Sequence, residues 1–322
     1  MAHRTFAAIV AATTLGLAGI AAAAPAVAAP GNDAGNGRPS SYALTGDAAG
    51  SRFEGIGADE RRGVFYVSEV TGGEIHRGTV GSSATEEWLP EGADGRFTAR
   101  GITVDAAGNV YIAGGPNGLG TGRPDVWVYS PEGELLAALR MPADDVFVND
   151  VAIGPDGAAY FTDSNDARIY RVADAGAGFT AAVWADASDV IDRAAGFNLG
   201  GIVLSTDRSA FVVAQGNVGK MWRFGFDGSV NEIVVRGADL VNADGLVRQG
   251  STLTVVRNFS HALTTLRVTA DGAGATLVAD EATAADKVFT TAKTLHGRIL
   301  FVESEFGPDA PTPPYQVTTN PF

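Results

Sequence analysis

The chain has 322 residues, with 23 Lys and Arg against 37 Asp and Glu, a net charge of −14, and no cysteine. This acidic excess argues against a protein that binds nucleic acid or an anionic membrane through positive charge. Because there are no thiolates, a metal site has to use oxygen or histidine ligands, which favours hard cations such as Ca²⁺. We therefore expect no nucleic-acid partner.

The first 28 residues have the pattern of a secretory signal peptide. Arg4 precedes an apolar stretch, and Ala26-Val27-Ala28 supplies the small residues of a cleavage site. No later stretch is apolar enough to span a membrane. We expect a secreted chain that begins at Ala29, with a flexible lead-in rich in Gly, Asn and Pro over residues 29–40 and no insertion into the membrane.

Residues 41–322 contain six copies of one pattern, a strand, a turn rich in Gly and Asp, and a second strand. The copies begin 44 to 51 residues apart, and this period is typical of one four-stranded blade of a β-propeller. A third strand, and in several copies a fourth, follow the pattern. The sequence predicts one all-β domain, a six-bladed β-propeller. The copies begin at Glu54, Arg100, Asn149, Gly200, Asp244 and Thr290.

The last copy is one strand short. After it, only Tyr315-Gln316-Val317 reads as a strand, while the segment from Tyr42 to Thr45 precedes the first copy. Pairing these two segments would complete the last blade and remove an exposed sheet edge. We therefore predict a ring closed by the N-terminal strand.

The first residues of the six copies are expected to lie together on one face, near the propeller axis, because each precedes the innermost strand of its blade. Two of them are carboxylates, one is an amide and one is a guanidinium. The longest connections, residues 114–124 and 305–314, are expected on the same face. A funnel lined with oxygen atoms suits Ca²⁺, which takes about six to eight oxygen ligands.

Four segments resemble the senescence-marker-protein/gluconolactonase/luciferin-regenerating-enzyme-like family of six-bladed propellers. They are Glu54-Gly-Ile, the segment from Asn149 to Gly157, Tyr160-Phe-Thr-Asp163 and Asp244-Gly-Leu. The resemblance implies an axial divalent cation, commonly Ca²⁺, and hydrolysis of lactones or related esters. It places metal ligands at Glu54, Asp244 and Asn149, with Asn149 also near the substrate and Arg100 at the equivalent position of the second blade.

The fourth copy departs from the family pattern. The family usually has Asn-Gly at its start, where this chain has Gly200-Gly201. Asn198, two residues upstream, is therefore an additional candidate ligand, and a water molecule is the alternative. The loss of one neutral oxygen should weaken a Ca²⁺ site without necessarily abolishing it.

The reaction that these residues favour is metal-assisted hydrolysis of a small-molecule lactone or ester by a monomer. Asp244 would bind the metal, accept a proton from the attacking water, or do both, while Arg100 and Asn149 orient the substrate. Structural roles remain open: Glu54 and Asp244 as solvated loop carboxylates, Asn149 as a turn cap, Arg100 as a packing residue. Two other functions also remain open, a non-catalytic propeller that binds a partner on its loop-rich face, and a metal-dependent lyase.

The three histidines that follow the signal peptide are too scattered in the repeat for a three-histidine metal site. His261, in a connection on the functional face, is a candidate base. His76 is expected to pack inside the fold, and His296 to lie in a turn on the opposite face.

Overall fold

The computed structural model describes residues 37–115, 123–307 and 310–322. The predicted signal peptide, the cleavage site before Ala29 and most of the predicted lead-in lie outside these ranges, as do parts of the two long connections. Within the described ranges the chain is almost entirely β-structure, with one short 3₁₀ helix at Ala93–Gly95. In this part of the chain, no helix has the length and apolar character needed to cross a membrane.

Six sheets form the blades of a propeller, which confirms the predicted fold. In blades 1 to 4 the strands follow one another outward in chain order. Blade 1 contains β2 (Phe53–Asp59), β3 (Val64–Glu69), β4 (Ile75–Thr79) and β5 (Glu86–Leu89), and blade 2 contains β6 (Ala99–Val104), β7 (Val110–Gly114), β8 (Val126–Tyr129) and β9 (Leu135–Leu139). Blade 3 contains β10 (Val148–Ile153), β11 (Ala159–Asp163), β12 (Arg168–Asp174) and β13 (Phe179–Asp186), and blade 4 contains β14 (Leu199–Leu204), β15 (Ala210–Gln215), β16 (Lys220–Gly225) and β17 (Val230–Glu232).

The fifth blade has five strands rather than the predicted four. Its sheet contains β18 (Val234–Arg236), β19 (Ala243–Gln249), β20 (Thr252–Arg257), β21 (Ala262–Val268) and β22 (Gly274–Ala282). The sequence suggests a single strand from Val230 to Val235, but the chain leaves blade 4 at Ile233, which is buried between blades 4 and 5. Beyond this residue, β18 pairs in parallel with β22 at the edge of blade 5.

The sixth blade is shared between the two ends of the chain. It contains β23 (Phe289–Leu295), β24 (Arg298–Glu303), β25 (Tyr315–Thr318) and, as its outer strand, β1 (Ser41–Leu44). The predicted pairing of the two terminal segments is present, with Tyr42 opposite Val317 and Leu44 opposite Tyr315. Tyr42 and Leu44 are both buried.

The innermost strands form a ring around the axis. Each contacts the innermost strand of the next blade, and β23 contacts β2. The hydrophobic core is divided into clusters that lie between successive blades. Because each sheet packs between two of these clusters, its inner strands are buried on both faces. This packing holds the starts of the six innermost strands in place around the axis.

Candidate active site

A β-bulge interrupts each innermost strand near its start, where two residues oppose one residue of the second strand. A bulge bends the strand and changes the direction of a side chain. The first bulged residue is in every case the first residue of the repeat. The six residues at this position are Glu54, Arg100, Asn149, Gly200, Asp244 and Thr290.

The second bulged residue is glycine in four blades because the neighbouring blade leaves no room for a side chain. A Cβ atom on Gly55 would lie 2.1 Å from the carbonyl oxygen of Arg100, and one on Gly201 would lie 2.1 Å from that of Asp244. In blade 3 this position is Asp150, whose Oδ2 accepts a hydrogen bond from the backbone N–H of Ile202 at 3.2 Å. The Gly of the repeat therefore serves the packing of the ring.

A pocket of about 590 Å³ opens where the bulged residues meet. Its volume is in the range of small-molecule sites, about 300 to 1,000 Å³. The structure thus brings together residues that lie up to 190 positions apart in the sequence. All five predicted site residues line this pocket: Glu54, Arg100, Asn149, Asn198 and Asp244.

The floor of the pocket contains a carboxylate beside a buried guanidinium. Arg100 Nε lies 3.8 Å from Glu54 Oε2, and the Arg100 guanidinium stacks over the ring of Phe147 at 4.2 Å. Only 13% of the Glu54 side chain is exposed. Burial raises the pKa of Glu54 to about 8. The positive charge of Arg100 lowers this pKa, whereas the carboxylates of Asp244 and Asp150 raise it by smaller amounts.

Asp244 lies at the same floor and is held by an amide. Asn258 donates its Nδ2 to Asp244 Oδ2 at 2.8 Å, which leaves Oδ1 as the second acceptor of the carboxylate. Burial raises the pKa of Asp244 to about 7, although the hydrogen bond from Asn258 lowers it. The Asn258 side chain is therefore committed to holding Asp244.

The two candidate amides differ in what their oxygen atoms contact. Asn149 donates its Nδ2 to Ser164 Oγ at 2.9 Å, so its Oδ1 is the atom that remains for a cation or substrate. Asn198 Oδ1, by contrast, already accepts three hydrogen bonds. Its donors are the backbone N–H of Ala194, Gln215 Nε2 and Asn217 Nδ2. Asn198 therefore organises the loop before β14, and the geometry favours Asn149 as the amide ligand.

Comparison of the sequence with known protein families identifies the family of this chain. Residues 53–247, more than half of the chain, match the SMP-30/gluconolactonase/LRE-like region. The chain belongs to this family. The match begins at the first residue of β2 and ends within β19, so it includes five of the six repeat starts and all five predicted site residues. No curated protein matches the sequence of the chain.

Solved propellers resemble the chain at low sequence identity. A calcium-binding regucalcin from Agrobacterium tumefaciens is 16% identical with a TM-score of 0.60, over 84% of this chain and 92% of that one. A gluconolactonase from Xanthomonas campestris is also 16% identical with a TM-score of 0.60, over 83% and 85%. A virginiamycin B lyase from Staphylococcus aureus is 15% identical with a TM-score of 0.60, over 82% and 80%. At these identities the likeness shows the fold alone.

The residues of the floor fit the divalent cation that the family implies. Glu54 and Asp244 are carboxylates whose ionised forms are disfavoured by burial, and a bound cation would supply the missing positive charge. The Oδ1 atom of Asn149 adds a neutral oxygen. Carboxylate and amide oxygens are ligands that Ca²⁺ prefers.

A second group of carboxylates lies outside the pocket. Asp47, Glu74 and Glu91 each place one carboxylate oxygen within 4.8 Å of the others. Glu74 is buried, its Oε2 has no hydrogen-bond partner, and burial raises its pKa to about 7. These residues come from three different connections and share no repeat position, so sequence analysis did not find them. A Ca²⁺ titration has to distinguish this cluster from the pocket.

None of the three described histidines lines the pocket. His261, the candidate base, lies between β20 and β21, and its Nδ1 is 2.8 Å from the carbonyl oxygen of Lys287. The ring therefore links this connection to the one between β22 and β23. His76 is buried, with its ring in an edge-to-face contact with Phe53. His296 Nε2 lies 2.7 Å from the carbonyl oxygen of Glu60, in a turn.

The raised pKa values predict how the stability of the metal-free protein depends on pH. Folded Asp244 and Glu54 hold their protons up to about pH 7 and 8, whereas the unfolded chain releases them near about pH 4. Between these limits the unfolded state binds fewer protons, so the free energy of unfolding falls as pH rises. We expect the Tm in a chelating buffer to fall across this window, and to fall less steeply in Asp244→Asn. Equal slopes in the two proteins would contradict the assignment.

Proposed function

We propose that this family member is a Ca²⁺-dependent hydrolase of a small-molecule lactone or ester. The observation that carries the proposal is the meeting of two partly buried carboxylates, an amide and a buried guanidinium at the floor of one pocket. Family membership supports it, as do two neighbours of the same fold, which are named a gluconolactonase and a calcium-binding regucalcin.

The guanidinium of Arg100 would orient the substrate carbonyl. The planar group is stacked on Phe147 and lies beside the Glu54 carboxylate. Only 4% of the Arg100 side chain is exposed to water. A guanidinium fixed in this way can donate to a carbonyl oxygen and to the negative charge that develops there. The Oδ1 atom of Asn149 would position the opposite side of the substrate or bind the cation.

Asp244 would accept the proton of the attacking water. Asn258 fixes one oxygen of the carboxylate, and Oδ1 is the atom that can face the water. Burial raises the pKa of this carboxyl in the metal-free protein, and the ionised form, which a nearby cation favours, is the form that accepts a proton. As the ester C–O bond breaks, the proton passes from Asp244 to the departing alkoxide oxygen, so the carboxylate is regenerated.

Glu54, Asp244 and Asn149 are the residues that would hold a Ca²⁺ ion. When bound, the ion supplies positive charge beside the substrate carbonyl and lowers the cost of the oxyanion. With two formal charges in the ligand set, we expect an affinity of about 10⁻⁴ to 10⁻³ M.

The test is a panel of lactones and aryl esters, assayed with added Ca²⁺ and with a chelator. We expect hydrolysis that the chelator stops and that Ca²⁺ restores. Calcium binding without activity on any lactone or ester would favour the non-catalytic propeller. Hydrolysis that continues in the chelator, from a protein that binds no Ca²⁺, would remove the cation from the mechanism.

The lyase alternative is less well supported by the site. A virginiamycin B lyase from Staphylococcus aureus is catalytically inactive when one histidine is replaced by alanine. Within the described part of this chain, no histidine lines the pocket. Product mass separates the two reactions, because hydrolysis adds one water molecule and elimination adds none.

We also propose that the protein is exported. The support is the basic start, apolar stretch and Ala26-Val27-Ala28 pattern at the N-terminus. We expect protein recovered outside the producing cell to begin at Ala29, as measured by intact mass and N-terminal sequencing. Recovery of an external form that retains Met1 would contradict cleavage at this position.

A further inference from the structure

The mouth of the pocket is apolar, in contrast to its floor. Phe197 and Phe259 both line it, yet 59% and 54% of their surfaces are exposed. Single exposed apolar side chains are ordinary, whereas several that converge on one pocket mark a surface that binds a ligand. The other large apolar residues of the lining are Val70, Phe147 and Phe306.

These side chains reach the pocket from different connections. Phe197 precedes β14 and Phe259 follows β20, so blades 4 and 5 contribute one ring each. Phe147, which precedes β10, carries Arg100 on one side and contacts Phe197 with ring centroids 5.1 Å apart. The apolar surface is thus continuous from the exposed Phe197 down to the guanidinium at the floor.

The amides in the wall offer few donors to a ligand. The Nδ2 group of Asn258 is bonded to Asp244, and that of Asn242 to Ser260 Oγ at 3.0 Å. The Nδ2 group of Asn217 is bonded to Asn198 Oδ1 and to two backbone carbonyls, and its Oδ1 is buried without a partner. A ligand with many hydroxyl groups would lose hydration against the phenyl rings and find few donors in this wall to replace it.

We infer that the substrate is a lactone or ester with an apolar acyl or aryl substituent, which lies against Phe197 and Phe259 while its carbonyl meets Arg100. This inference rests on the proposed function and specifies its substrate class. A polyhydroxylated sugar lactone fits less well, because its hydroxyl groups would face phenyl rings and amides that are already bonded. An apolar substituent would instead cover the two exposed rings.

The test compares γ-butyrolactone, γ-decalactone and gluconolactone as substrates of the Ca²⁺-loaded protein. We expect KM to fall at least about tenfold from γ-butyrolactone to γ-decalactone, because the added methylenes are removed from water. In Phe197→Ala and Phe259→Ala, KM for γ-decalactone should rise about tenfold while γ-butyrolactone changes little. Phe97→Ala is the matched control, since Phe97 is also exposed but is not among the residues that line the pocket.

Binding of the same three lactones to Asp244→Asn, measured by calorimetry, separates this inference from the proposed function. If the wild type hydrolyses neither these lactones nor the aryl esters, but γ-decalactone binds and needs Phe197 and Phe259, the proposed function fails and the apolar site stands. If gluconolactone is the preferred substrate and neither Phe variant changes KM, the inference is overturned and the hydrolase stands. If no lactone is hydrolysed or bound, both are wrong.

Discussion

Replacing Asp244 by Asn is expected to lower kcat/KM for lactone or ester hydrolysis about 10³-fold. The amide has the size of the carboxylate, but it cannot accept a proton from water and brings no negative charge to a cation. Ca²⁺ binding, measured by calorimetry, should weaken in parallel. The fold should persist, because burial disfavours the ionised carboxylate of Asp244 and an uncharged amide of the same size takes its place.

Two control variants make this result specific. Glu74→Gln changes the carboxylate cluster outside the pocket, so it should leave hydrolysis intact even if it removes a second binding event from the titration. His261→Ala should also leave hydrolysis intact, because its ring contacts the Lys287 carbonyl and not the pocket. Activity that survives Asp244→Asn but is lost in Glu74→Gln would move the catalytic cation away from the axis.

A chain that begins at Thr45, and so lacks β1, is expected to be largely unfolded at room temperature. Tyr42 and Leu44 belong to the cluster between blades 6 and 1, together with Phe53 and Tyr315. Losing one large buried side chain costs about 2 to 5 kcal/mol, and a whole domain is stable by only about 5 to 15 kcal/mol. The missing strand also leaves β25 as an unpaired edge.

The control is a chain that begins at Gly37, which keeps all of β1. Its Tm and its midpoint in urea should equal those of the protein that begins at Ala29. Tyr42→Ala in the longer chain should fall between the two, because it creates a cavity but preserves the backbone pairing with Val317. Equal melting temperatures for the chains that begin at Gly37 and Thr45 would show that β1 contributes nothing to the ring.

The sequence alone was enough to predict the six blades and the meeting of Glu54, Arg100, Asn149 and Asp244 at one pocket. The reason is the repeat: equivalent residues of a closed ring occupy equivalent places, so the first residues of six copies have to surround one axis. Glu54, Asn149 and Asp244 were therefore predictable as neighbours. The bulges at these positions explain why their side chains reach the pocket, although the sequence shows only the Gly that follows four of the six.

Tertiary structure decided the features that do not repeat. The oxygen of Asn198 is occupied by one donor from its own connection and two from the end of β15 and the turn that follows it. The chain passes from blade 4 to blade 5 at Ile233. The apolar mouth depends on the directions in which Phe197 and Phe259 leave separate connections. Connection residues have no periodicity that relates them to one another, so their contacts are set only when the ring is assembled. Assembly also sets the burial of Glu54 and Asp244 at the floor, and with it their raised pKa values.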